Sequence, residues 1–193
     1  MANKLFALLG PYGSGKASLI KELKQMGIHY VPLYTTRAEW KDADPNHDLM
    51  QLVTKDEYTK HAFLANFTYQ GDYYGIEKND LMAAIHDYPL SVTMLDENGA
   101  KQLRRLLRVN LVTVFLMSEY VNLIEHLLAM HYNNAEIKDL LQYDETNHLF
   151  DGWKGADFVI KNTHDIHTAL IQLMSIMGLT KPLEAAELKK IIG

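Results

Sequence analysis

Cysteine is absent from the 193 residues, so neither a disulfide nor a thiolate metal site can form. Arginine is nearly absent: Arg37, Arg104, Arg105 and Arg108 are the whole set. There is no basic excess either. The 24 Asp and Glu outnumber the 19 Lys and Arg, for a net charge of −5, which argues against a nucleic-acid groove binder needing a basic stripe. No apolar run approaches the roughly 20 residues of a membrane span. The first one, Leu5 to Leu9, stops at Gly10-Pro11 and is shorter than the about 7–15 apolar residues of a secretory leader. The expectation is a cytoplasmic protein without nucleic-acid or membrane partners. Repeats and low-complexity stretches are missing, and 48% hydrophobic residues suit a globular chain of one domain or one elaborated domain.

What is present alternates. Leu5–Leu9 reads as a buried parallel strand, and residues 16–26 as a helix with Leu19, Ile20, Leu23 and Met26 on one face. His29 to Tyr34 reads as a second strand, 35–48 as a polar loop and Leu49–Val53 as a strand. Thr54 with Glu57 three residues on has the capping-box pattern. Phe63–Tyr69 and Tyr73–Ile76 flank a hairpin turn at Gly71-Asp72. A helix over 77–87, a strand Leu90–Leu95 and a basic helix Gly99–Leu107 follow. Next come a strand Val109–Met117, Ser118 as an N-cap, a mixed polar helix over 133–149, a strand Asp157–Lys161 and a helix Asp165–Met177. Strands alternating with helices predict an α/β fold with a mostly parallel sheet, interrupted by an antiparallel-looking insert.

Gly10-Pro11-Tyr12-Gly13-Ser14-Gly15-Lys16 lies between a predicted strand and a predicted helix, the context a phosphate loop requires. Glycines let the backbone turn its N–H groups inward, the helix N-terminus adds positive potential, and Lys16 reaches terminal phosphates. Ala17 stands where the pattern has a Ser or Thr that ligates Mg²⁺, and a methyl group ligates nothing. Ser18 is no simple replacement, because one helical residue turns a side chain by about 100°.

The chain resembles the guanylate kinase family over most of residues 3–178. The phosphate loop is similar to the family's opening motif, and Thr35-Thr36-Arg37 to its Thr-Thr-Arg. Gly71-Asp72-Tyr73-Tyr74-Gly75 is similar to its Gly-x-Tyr-Tyr-Gly, Asp96-Glu97-Asn98-Gly99 to its Asp-x-Gln-Gly, and Val159-Ile160-Lys161-Asn162 to a late Val-Ile-x-Asn strand. The resemblance implies a P-loop NTPase core, a small mixed-sheet insert for a nucleoside monophosphate and a helical lid. In numbers these are 1–34 and 77–178 for the core, about 119–149 for the lid within it, and 35–76 for the insert. Residues 179–193 form a helical extension, either a docking helix or a homodimer contact.

The resemblance further implies transfer of the ATP γ-phosphate to GMP. Lys16 and Arg37 would be catalytic, and Gly13, Ser14, Gly15, Lys16, Ser18 and Asn162 would hold the nucleotide, Asn162 near the adenine. Arg37, Tyr74 and Asp96 would hold the acceptor, with ATP as co-substrate and Mg²⁺ lacking its protein ligand. Several family positions differ. Trp40 replaces a second phosphate arginine, Ala65 the guanine-reading Glu, Ile76 a base-contacting Ser, Met50 a Tyr and Met94 an acid near the metal. A site that loses a hydrogen-bonding reader loses discrimination of about 10⁴–10⁵ in the strongest cases.

The lid argument needs no alignment. From Val109 to Trp153 the basic residues are Lys138 alone, while Glu119, Glu125, Glu136, Asp139, Asp144 and Glu145 carry negative charge. Arginines on a moving phosphate are worth about 10³–10⁵ in kcat. The expectation is a nucleotide-binding protein with weak or lost GMP kinase activity. Two alternatives stay open: a phosphotransferase with another acceptor, and a non-catalytic interaction module. Lys101, Arg104, Arg105 and Arg108 form a basic helical face, read either as a solvated face or as a contact for an acidic partner. The histidine pairs lack a third ligand for zinc.

Overall fold

The computed structural model describes residues 3–162 and 165–180. In chain order its elements are β1 (Lys4–Leu9), α1 (Lys16–Gln25), β2 (His29–Tyr30), β3 (Leu33–Thr35), β4 (Met50–Leu52), α2 (Lys55–Tyr58), β5 (Phe63–Tyr69) and β6 (Asp72–Glu77). Then come α3 (Lys78–Asp87), β7 (Leu90–Met94), α4 (Glu97–Leu107), β8 (Leu111–Met117), α5 (Tyr120–Ala129), α6 (Asn134–Thr146), β9 (Phe158–Lys161) and α7 (Ile166–Ile176). The helix expected after Pro182 lies outside the described residues.

β1 is apolar without alternation because both faces of its sheet are covered, and it is buried from Leu5 onward. It sits at the centre of a parallel five-stranded sheet in the order β2-β7-β1-β8-β9. A second sheet, β4-β3-β6-β5, is mixed: β3 runs parallel to β4, while β6 runs antiparallel to β3 and β5. Leu19, Ile20 and Leu23 of α1, Leu103 of α4 and Leu173 of α7 are fully buried in the main core with β1. Among the described residues no helix is long and apolar enough to cross a membrane.

Three local expectations need correction, and the basic face of α4 gains detail. The single strand His29–Tyr34 is two strands in different sheets. Val31 still donates to Val92 at 2.9 Å, but Pro32 has no N–H, and Leu33 opens the second sheet. The hairpin turns at Gln70-Gly71, one residue early. Both have positive φ (50° and 85°), the mirror-image turn that matches strand twist, and Asp72 is already paired with Tyr69. Ser118 does not cap α5. Glu119 holds the cap position, and the buried Ser118 hydroxyl has no partner among the described residues. On the basic face of α4, Lys101, Arg105 and Arg108 are exposed and Arg104 alone turns inward. Arg104 donates to the Leu111 carbonyl at 2.6 Å, to Thr113 Oγ1 at 3.0 Å and to the Asp157 carboxylate, and Lys101 pairs with Glu97.

Candidate nucleotide site

The Gly10–Lys16 loop leaves β1 where its neighbours β7 and β8 diverge in the chain order, the switch point at which parallel sheets place ligands. Gly10 and Gly15 have φ of +139° and +96°. A Cβ at Gly10 would stand 2.7 Å from the Leu116 carbonyl oxygen, and one at Gly15 would stand 2.5 Å from Asn162 Nδ2. The helix that follows opens without a side-chain cap. α2, α3, α4, α6 and α7 start on such caps, whereas α1 starts on Gly15 and α5 on Glu119 with none. The amides of Gly13, Gly15 and Lys16 take no protein acceptor among the described residues. Free N–H groups at a helix start have the donor chemistry that suits an anion.

Lys16 folds back over the loop, donating to the Gly10 and Pro11 carbonyls, both at 2.7 Å, and to Ser14 Oγ at 3.3 Å. Burial brings its ammonium down to about 8, against the pull of Asp144 and Asp44, which favour the charged form. Asn162 lies beneath the loop, donating Nδ2 to the Ser14 carbonyl at 2.8 Å, and His126 Nδ1 meets the Gly13 carbonyl at 2.8 Å. Ser18 is half-buried on the first turn of α1.

Next to the loop is a cavity of about 400 Å³. Gly10, Tyr12 and Lys16 border it on the loop side, Asp96 on the core side and Tyr74 on the second sheet. Its remaining wall is mixed: Leu33, Met50, Phe67 and Met94 are apolar, and Asn46, Thr68, Asn98, Asn147 and His148 are polar. Tyr74 is 4% exposed and stacks on Phe67 at 5.3 Å. Asp96 caps α4, accepting from the Gly99 amide at 2.7 Å, and burial pushes its carboxyl up to about 6. Of the residues proposed from sequence, Lys16, Tyr74 and Asp96 therefore share one cavity, whereas Gly13, Ser14, Gly15 and Asn162 form the loop and its support. Ala65 and Ile76 are fully buried opposite one another in the sheet.

Arg37 lies between the insert and the α5–α6 segment. Its guanidinium stacks over Trp40 at 4.3 Å and over Tyr12 at 5.5 Å, Nε donates to the Glu39 carbonyl at 3.1 Å, and Nη2 donates to Tyr132 Oη at 3.1 Å. Tyr132 donates to Asp44 at 2.9 Å, and the Tyr12 hydroxyl donates to the same carboxylate oxygen. Asp144 of α6, fully buried, accepts the Tyr12 N–H at 2.7 Å and the Tyr69 O–H at 2.8 Å. Burial raises its pKa, opposed by those two donors and Lys16. The acids of this segment thus have assorted partners: Glu119 pairs with Lys161 and Glu136 with Lys41, while Asp144 reaches the loop.

The donor set does not fit a protein-held Mg²⁺ at the loop. Ala17 and Met94, both 4% exposed, offer no oxygen, and the described residues contain no cluster of three or more His, Asp or Glu suited to a metal.

No protein-family model matches the chain. Curated relatives do. The guanylate kinase of Wolinella succinogenes is 28% identical over 181 residues, covering 89% of this chain and 82% of its own. That of Methylococcus capsulatus is 26% identical over 198 residues, covering 98% and 96%. Among solved structures, guanylate kinase from Anaplasma phagocytophilum has a TM-score of 0.69 at 17% identity, covering 96% of this chain and 89% of that one. The chain is guanylate-kinase-like. A shikimate kinase from Bacteroides thetaiotaomicron shares the fold more distantly, with a TM-score of 0.52.

In this guanylate-kinase-like chain, sequence reasoning located the loop but missed its neighbours. Asp44 sat in a stretch read as a polar loop, Tyr132 carried no motif, and Asp144 counted only as one of six acids. Helical phase held the one available hint: Leu140 and Asp144 are four residues apart on one face, and a carboxylate on a buried stripe needs a partner. Tyr69, Tyr73 and Tyr74 divide by strand alternation. Tyr69 stacks on Tyr12 at 5.7 Å, and Tyr73 meets Tyr58 on the other face at 5.5 Å.

Proposed function

We propose that this protein binds a nucleoside polyphosphate such as ATP on the Gly10–Lys16 loop and transfers its phosphate to GMP slowly or not at all. The binding half rests on the uncapped start of α1, whose amides face the loop beside Lys16. The catalytic half rests on the α5–α6 segment. It brings Tyr132 to Arg37 and the Asp144 carboxylate to the loop, where cations are needed to neutralise a moving phosphoryl group. Guanine reading has no source at Ala65 or Ile76, whose side chains are apolar and buried.

Purified protein supplied with ATP, Mg²⁺ and GMP and assayed for ADP release is expected to turn over far below about 10 per second, the median for enzymes. A rate at or above that median overturns the catalytic half. In the same assay Ala17→Ser restores a hydroxyl at the metal position. Its effect on Mg²⁺-dependent ATP binding separates loss of one ligand from loss throughout the site.

The apolar part of the wall, with Leu33, Met50, Phe67 and Met94, supports a second reading, a phosphotransferase whose acceptor is less polar than a guanine nucleotide. ATP consumption stimulated by a phosphorylated acceptor other than GMP would favour it.

A further inference from the structure

Some of the groups that would meet phosphate have protein partners from one segment, although the Gly13, Gly15 and Lys16 amides and Arg37 Nη1 have none among the described residues. The Tyr12 amide on the phosphate loop donates to Asp144 Oδ2 at 2.7 Å. Arg37, the sole arginine outside α4 and its C-terminal end, donates to Tyr132 Oη at 3.1 Å. Lys41, in the same insert, pairs with Glu136 at 2.6 Å. Tyr132, Glu136 and Asp144 all belong to the turn before α6 or to α6 itself, so a rigid movement of that helix would release all three contacts together.

Asp144 is the strongest of the three. A carboxylate without exposure persists only where its oxygens are satisfied, and here both are: Oδ2 by the loop amide and Oδ1 by Tyr69 Oη at 2.8 Å. An anion accepting a loop N–H close to Lys16 performs the chemistry of a phosphate oxygen. Tyr132 does the matching task across the cleft. Its hydroxyl accepts from Arg37 and donates to Asp44, tying the arginine to an acid of the insert.

We propose that Asp144 and Tyr132 form an internal clasp that competes with phosphate for the loop and for Arg37, holding α6 over the cleft until a ligand displaces it. The proposal rests on the nucleotide reading above and adds an autoinhibitory contact to it. A polyphosphate entering beside Tyr12 would set like charges against Asp144, so binding requires α6 to move away. Removing the Asp144 charge lifts that requirement. Asp144→Asn keeps an acceptor for the Tyr12 amide and deletes the anion, and Tyr132→Phe deletes one hydroxyl and no charge.

The test is calorimetric titration of ATP and of inorganic tripolyphosphate into the full chain, wild type and both variants, together with hydrogen exchange over residues 134–146. The expected result is tripolyphosphate affinity at least tenfold higher in Asp144→Asn, a smaller gain in Tyr132→Phe, and faster exchange over 134–146 in both. Tyr132→Phe carries the test if Asp144→Asn does not fold. Equal or weaker binding by the variants, with wild type still binding, overturns the clasp and leaves the nucleotide reading intact. Failure of all three proteins to bind either anion overturns the nucleotide reading. The clasp, which competes with phosphate, falls with it, whatever the exchange over 134–146.

Discussion

Asp96 shows how one side chain can serve the fold and tax it. Its carboxylate caps α4 through the Gly99 amide, yet burial beside the cavity lifts its pKa from 3.8 to about 6. A carboxyl whose folded pKa is raised stabilises the fold below its unfolded pKa, near 4, and that contribution is withdrawn as pH rises through about 6. At pH 8 the ionised form therefore carries a penalty of at most about 3 kcal/mol, from two pKa units. Asp96→Asn retains an acceptor for the cap and removes the charge. Thermal melts should show a midpoint several degrees higher at pH 8 and no gain near pH 4. An equal gain at both values would refute the charge explanation.

At the scale of elements, the tie between α4, β8 and β9 is the clearest case of a charged face turned to structural use. Asp157, just before β9, accepts the Thr113 amide at 2.7 Å and the Thr113 hydroxyl at 2.9 Å, and it pairs with Arg104. Burial acts to raise its pKa, but Arg104 and Thr113 together hold it below the usual carboxylate range. Such a group stabilises above its unfolded pKa and stops doing so as pH falls through the folded value. Asp157→Asn should cost about 1–2 kcal/mol at pH 7, as charge-assisted hydrogen bonds at a part-exposed site do. The difference from wild type, read by urea denaturation, should narrow below pH 4. The basic stripe of α4 was visible in the sequence. That Arg104 faces inward toward β8 was not, because the acid it meets lies 53 residues away.

The whole molecule sets the behaviour of Lys16. Its desolvation arises where loop, insert and α6 meet, and burial brings its pKa to about 8 although Asp144 and Asp44 favour the charged form. A neutral lysine attracts no phosphate, so ATP affinity should fall as pH rises through about 8 in titrations at constant ionic strength. Flat affinity up to pH 9.5 would show that Lys16 takes no part in binding.

Much of this protein could be read locally. A buried apolar strand, three glycines, a lysine and an amphipathic helix determine the strand–loop–helix geometry at Gly10–Lys16, because positive φ at glycine and the free N–H groups of a helix start are properties of adjacent residues. The hairpin around Gly71 and the cap at Thr54 were legible for the same reason. Chain alternation likewise foretold the parallel sheet, although not that Pro32 would divide one predicted strand between two sheets. What surrounds the loop was settled by tertiary structure alone. Asp144 lies 132 residues from Tyr12, and Tyr132 lies 95 from Arg37. The charge of a buried site is the sum of groups gathered from such distances, and no local pattern records which of six acids turns inward.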